Sequence, residues 1–189
     1  MNLPNYITLV RIVLIPFFID FMIYGYYGPA LAVFAAACVT DALDGMIARI
    51  TNQITDLGAF LDPIADKLLI ISAFVTMALI GMLPVWLVII VVSRDVILVL
   101  GSIVIYFMGH EFRARPSLIG KITTVLQLLV VTFTLVLKNV DVDVGSTWLG
   151  VLIWTTVFFT IASGIQYVSR GTRIVGKDPF DTSGIGGRK

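Results

Sequence analysis

Asp41, Asp44, Asp62 and Asp66 stand in two pairs, spaced three and four residues apart, within otherwise apolar sequence. On helices those spacings put both members of a pair on one face, with Cβ atoms about 5–6 Å apart. Bare carboxylates are expensive in such surroundings. Like charges that close need either shared protons or a cation between them. Two such pairs, joined by a short connection, make an all-oxygen site for a hard divalent cation. Gly45, Ala48 and Gly58 interleave the pairs, with Arg49 beside them. Small residues admit a close approach to the backbone, and Arg suits a phosphate. The stretch from Asp41 to Asp66 reads as a metal site beside a phosphate site.

The chain that positions these residues is 58% hydrophobic and 13% charged over 189 residues, with a mean hydropathy of +1.00. A soluble domain carries about 25% charged residues. The composition therefore points to an all-α integral membrane protein with one domain, residues 1–177, and a polar, glycine-rich tail, 178–189. A net charge of +1 without a basic tract gives no footing for nucleic acid. Cys38 is the single cysteine, so no intramolecular disulfide forms; in its apolar run it reads as a buried, inert thiol. The start, MNLPNYITLVRIVLIPFF, lacks a basic n-region and a cleavage site, and reads as a retained first span.

A bilayer-crossing helix needs about 20 mostly apolar residues. Six segments qualify: Tyr6–Tyr24, Pro29–Arg49, Gly58–Ile80, Pro84–Met108, Ser117–Leu137 and Trp148–Ser169. Turn signals separate them at Gly25 to Pro29, Gly81 to Pro84 and Asn139 to Gly145. Basic residues gather in the 2–3 and 4–5 connections and in the tail, whereas the 5–6 connection offers Lys138 alone. That bias puts both termini and the aspartate stretch on the cytoplasmic side. Tyr24, Tyr26, Tyr27 and Trp148 then fall at outer span ends, as interfacial aromatics do.

The pattern Asp41-x2-Asp44-Gly45-x2-Ala48-Arg49-x8-Gly58-x3-Asp62-x3-Asp66 is similar, position for position, to the signature of the CDP-alcohol phosphotransferase family. The resemblance implies transfer of a phosphatidyl group from CDP-diacylglycerol to a hydroxyl, with release of CMP. It implies Asp41, Asp44, Asp62 and Asp66 as ligands of one or two Mg²⁺ or Mn²⁺ ions, and Asp66 as the base that takes the acceptor's proton. It also implies that Gly45, Ala48, Arg49 and Gly58 receive the cytidine nucleotide, and that the protein is a homodimer. For the glycines and Ala48, close helix packing is the structural alternative. The implied location is a bacterial inner membrane, with the active site facing the cytoplasm.

Pro63 leaves two readings open. Asp62 caps a helix that starts at Pro63, or a kinked span begins near Asp56 or Gly58. The second is favoured because Gly58, Asp62 and Asp66 share one helical stripe. In the first span, Asn5, Thr8 and Arg11 form a polar stripe at three-residue spacing. It either contacts the donor nucleotide or caps and snorkels at the membrane boundary; a similar Pro-Asn-x2-Thr-x2-Arg start in the family tips Asn5 and Thr8 toward donor binding. Acceptor-side candidates are Arg94, Arg113, Arg115 and Lys121. An Arg94–Asp95 ion pair is disfavoured because adjacent helical residues point apart, which leaves Arg94 for an external anion. Arg113, Arg115 and Lys121 read equally as positive-inside charge. His110 stands without ligand partners.

Two acceptors are in view. MNLPNYITLVRI and LDPIADKLL look like phosphatidylglycerophosphate synthases, which use glycerol 3-phosphate. In that group a further Arg follows the span 4 pair by eight residues; here that position is Ser102. SRDVILV and RPSLIGKITTVLQ look instead like CMP-forming cardiolipin synthases, which use phosphatidylglycerol, the favoured acceptor. A rival from another class, a divalent-cation transporter, would spread acidic residues across the membrane depth and often show inverted repeats. Here the acids cluster toward one side and no repeat is visible. A lipid-binding scaffold would leave the four aspartates unexplained.

Overall fold

Among the described residues six apolar runs become six α-helices: α1 Leu3–Ile23, α2 Tyr27–Thr51, α3 Asp56–Leu79, α4 Val85–Phe107, α5 Leu118–Asn139 and α6 Thr147–Val175. The structure, a computed structural model, describes residues 3–51, 56–107, 118–140 and 147–175. It describes side chains for 9–40, 67–101, 118–140, 147–169, 171 and 172. The 178–189 tail lies outside the described residues. α3 starts at Asp56 and runs through Pro63, which sets aside the reading of Asp62 as a helix cap.

Two helices end on the same device. Gly25 has φ 77° and Gly81 φ 76°, a left-handed conformation that glycine adopts without a Cβ penalty. At the first, the Gly25 N–H donates to Met22 O (3.2 Å) and the Tyr26 N–H to Phe21 O (2.8 Å). At the second, Gly81 donates to Ala78 O (3.1 Å) and Met82 to Met77 O (2.8 Å). These paired bonds satisfy carbonyls that a helix end would otherwise leave open. Each lets the chain reverse within a few residues.

Among the described residues, α1 packs on α2 and α3, α2 on α5, α5 on α6, α6 on α4, and α4 on α3. The six helices thus close a ring in the order α1, α2, α5, α6, α4, α3, with a further contact between α3 and α5 across it. Phe18 of α1 and Phe34 of α2 meet with ring centroids 5.7 Å apart, and Phe74 and Met77 of α3 are fully buried. Small side chains at Ala30, Ala37 and Ala73 are also fully buried, which lets backbones approach. Cys38 is half-buried against this core, where full burial was expected.

Among the described residues the outside is largely apolar. Val10, Phe17, Leu79, Ile89, Trp154 and Phe158 are all exposed. The described interior, by contrast, holds Arg11, Arg94, Asp95 and Gln127. Leu118–Asn139 and Thr147–Ser169 are long and apolar enough to cross a membrane by length and composition.

Candidate active site

The aspartates sit on two consecutive helices that share α1 as a neighbour. Asp41, Asp44, Gly45, Ala48 and Arg49 belong to α2, and Gly58, Asp62 and Asp66 to α3; Asn5 and Thr8 lie on α1. Their side chains fall outside the described ones, as do Arg113 and Arg115 entirely. Backbone helicity alone still fixes a useful relation. At 1.5 Å per residue, Asp41 and Asp44 lie about 15 and 10.5 Å back from the end of α2 at Thr51. Asp62 and Asp66 lie about 9 and 15 Å in from the start of α3 at Asp56. The two pairs therefore stand at matched distances from the short connection between their helices. Among the described residues no group of three His, Cys, Asp or Glu could hold a metal ion.

Arg11 of α1 is wholly buried, with 0% exposure. That is incompatible with snorkelling of its guanidinium to an exposed boundary. Arg94 and Asp95 of α4 are buried as well. Here the structure corrects an expectation: Arg94 Nη1 donates to Asp95 Oδ1 at 2.7 Å, an ion pair between helical neighbours. The rule that adjacent residues point apart concerns Cβ directions, and the long Arg side chain folds back far enough to defeat it. Arg94 Nε and Nη2 donate to Ser163 Oγ on α6, at 3.3 and 2.7 Å. Lys67 of α3 donates to the same Asp95 Oδ1 at 2.8 Å.

The described part of the site is thus a polar link across α3, α4 and α6. Sequence reasoning did not find it, although Lys67 and Asp95 were visible as charges within apolar spans. Ser163 carried no signal. Lys121 is exposed near the start of α5 and is not part of this link. A groove of about 480 Å³ opens between α4 and α6, lined by Ile90, Arg94, Ile97, Thr160, Gly164 and Ile165. It is apolar along most of its length and meets the charged link at Arg94.

A family model described as CDP-alcohol phosphatidyltransferase matches residues 1–162. The chain belongs to this family. Its membership agrees with the aspartate signature and sets aside the transporter alternative, since the family is one of phosphatidyltransferases. CDP-diacylglycerol–glycerol-3-phosphate 3-phosphatidyltransferase of Bacillus subtilis (strain 168) is 35% identical over 89% of this chain and 94% of its own. A probable phosphatidylglycerophosphate synthase of Mycobacterium tuberculosis (strain H37Rv) is 33% identical over 93% of this chain and 84% of its own. The CMP-forming cardiolipin synthase of Homo sapiens is 33% identical over 92% of this chain and 63% of its own.

Proposed function

We propose that this phosphatidyltransferase is a six-span enzyme of a bacterial inner membrane, with both termini and the active site on the cytoplasmic side. It transfers the phosphatidyl group of CDP-diacylglycerol to a hydroxyl of phosphatidylglycerol, forming cardiolipin and CMP. The observation that carries the reading is the eight-residue signature on two helices, with its carboxylate pairs at matched distances from one connection. An apolar exterior around buried charges supports the membrane assignment, because lipid tolerates charge only inside the bundle.

The donor set is four carboxylates, which fits a hard divalent cation. Asp41, Asp44, Asp62 and Asp66 would hold one or two Mg²⁺ or Mn²⁺ ions, which when bound neutralise the donor's diphosphate and the charge that develops on transfer. Asn5, Thr8, Gly45, Ala48, Arg49 and Gly58 receive the cytidine end. Asp66 takes the proton of the acceptor hydroxyl, whose oxygen bonds to the lipid-side phosphorus as the bond from that phosphorus to CMP breaks. Arg113, Arg115 and Lys121 serve the acceptor's phosphate, while Arg94 is held by Asp95 and Ser163. The protein works as a homodimer.

SRDVILV, RPSLIGKITTVLQ and Ser102 favour phosphatidylglycerol, in line with the likeness to cardiolipin synthase. Glycerol 3-phosphate is the second reading, favoured by the relatives named for that acceptor. The deciding experiment follows CMP release from purified protein with CDP-diacylglycerol and Mg²⁺ or Mn²⁺, offering each acceptor separately. Release with phosphatidylglycerol alone supports the first reading, and release with glycerol 3-phosphate alone replaces it with the second. Asp66→Asn is expected to abolish release while the protein still inserts; full activity in that variant removes Asp66 from the mechanism.

A further inference from the structure

One carboxylate oxygen gathers two cations from two helices. Asp95 Oδ1 lies 2.8 Å from Lys67 Nζ and 2.7 Å from Arg94 Nη1. The Asp95 side chain is 3% exposed and that of Lys67 28%. Arg94 is itself fastened to Ser163, so Lys67 is tied through Asp95 to both α4 and α6. Apolar contacts between α3 and its neighbours are non-directional and permit small rotations. A partly buried, charge-assisted bond at 2.8 Å is directional and restrains them.

Lys67 directly follows Asp66 in α3. A helix advances about 100° per residue, so Asp66 lies about 100° and Asp62 about 140° around the axis from Lys67, on one stripe. Holding the Lys67 ammonium therefore limits the azimuth of that stripe to the range the Lys67 side chain can span. We propose that Asp95 is a positioning residue for phosphatidyl transfer: by holding Lys67 it sets the rotation of α3, and with it the placement of Asp62 and Asp66. This rests on the reading above that those aspartates carry the chemistry. In this role Asp95 acts through Lys67 and not by contact with donor or acceptor.

The test compares wild type, Asp95→Asn, Lys67→Met, Lys67→Arg and the Asp95→Asn/Lys67→Met double variant in lipid nanodiscs. It reads kcat and KM for CMP release, and Mn²⁺ affinity by electron paramagnetic resonance titration without substrate. Asp95→Asn and Lys67→Met are each expected to lower kcat about tenfold to a hundredfold, the scale of a small misplacement of reacting groups, with KM nearly unchanged. Mn²⁺ affinity falls about tenfold, as when a residue that orients metal ligands is lost. The double variant is no worse than the poorer single, because both changes cut one link. Lys67→Arg keeps the ion pair and most of the activity.

Wild-type kcat and Mn²⁺ affinity in Lys67→Met or Asp95→Asn, with only a lower resistance to unfolding, overturn the proposal. Should Asp95→Asn fail to fold, Lys67→Met against Lys67→Arg decides alone, since both leave Arg94 on Asp95. A wild type that binds Mn²⁺ but releases no CMP refutes the reaction and not the positioning, which the Mn²⁺ titrations then decide. A wild type that does neither overturns both.

Discussion

Ser163→Ala isolates one end of the polar link without touching a charge. The Ser163 hydroxyl accepts from Arg94 Nε at 3.3 Å and from Nη2 at 2.7 Å, and both donors belong to a side chain only 9% exposed. A neutral interhelical hydrogen bond in a bilayer is worth about 0.6 kcal/mol, rising to about 1.7 kcal/mol at most. A buried donor left unsatisfied costs about 1–3 kcal/mol, and more when charged. Two such donors, one with a long and weaker bond, give a loss of about 2–4 kcal/mol. Reversible unfolding in mixed micelles, titrated with sodium dodecyl sulfate and followed by near-ultraviolet circular dichroism, measures the difference. Ser93→Ala, at an exposed position on α4, is the control and should stay within about 0.5 kcal/mol of wild type. A Ser163→Ala loss below about 0.5 kcal/mol would refute the reasoning, because Arg94 would then have found other partners at no cost.

Three further outcomes are expected. A Cβ at Gly101 would lie 2.8 Å from Tyr167 Cε1, so Gly101→Ala should destabilise by about 1–2 kcal/mol, overpacking outweighing the gain in helix propensity. At Gly164 the nearest atom to an added Cβ is Arg94 Cγ at 3.9 Å, so Gly164→Ala in the same unfolding assay should be neutral or stabilising by up to about 1 kcal/mol. Chelation of divalent cations should abolish CMP release, and Mg²⁺ or Mn²⁺ should restore it where Ca²⁺, larger and less demanding of octahedral geometry, restores it poorly; undiminished release after chelation would end the metal reading.

The helices were legible because their apolar runs are broken by Gly and Pro at the turns. Gly25 and Gly81 do what their positions announced. α3 was placed through Pro63 by the stripe of Gly58, Asp62 and Asp66, a periodic signal stronger than the local bias of one proline. α6 outran its expected end at Ser169 and continues to Val175, since a helix need not stop where apolarity does. What could not be read is the ring order. No local pattern tells α2 to meet α5, or α4 to meet α6, because shape complementarity between distant segments decides it. The same holds for the Lys67–Asp95 bond, which spans 28 residues of sequence. The Arg94–Asp95 pair was misjudged for a different reason, a rule about Cβ directions applied to a side chain long enough to escape it.

The closed ring also bears on how such a chain is made. Its neighbours in space are not its neighbours in time: α2 is synthesised long before α5, and α3 before the α4 residue that neutralises Lys67. During synthesis α3 arrives carrying Asp62, Asp66 and Lys67 with no counter-charge from α4 yet available. The tight reversal at Gly81 keeps that interval to the 28 residues between Lys67 and Asp95. The α3–α4 and α5–α6 contacts lie between helices consecutive in sequence, whereas the α2–α5 and α4–α6 contacts that complete the ring must wait for the later helices.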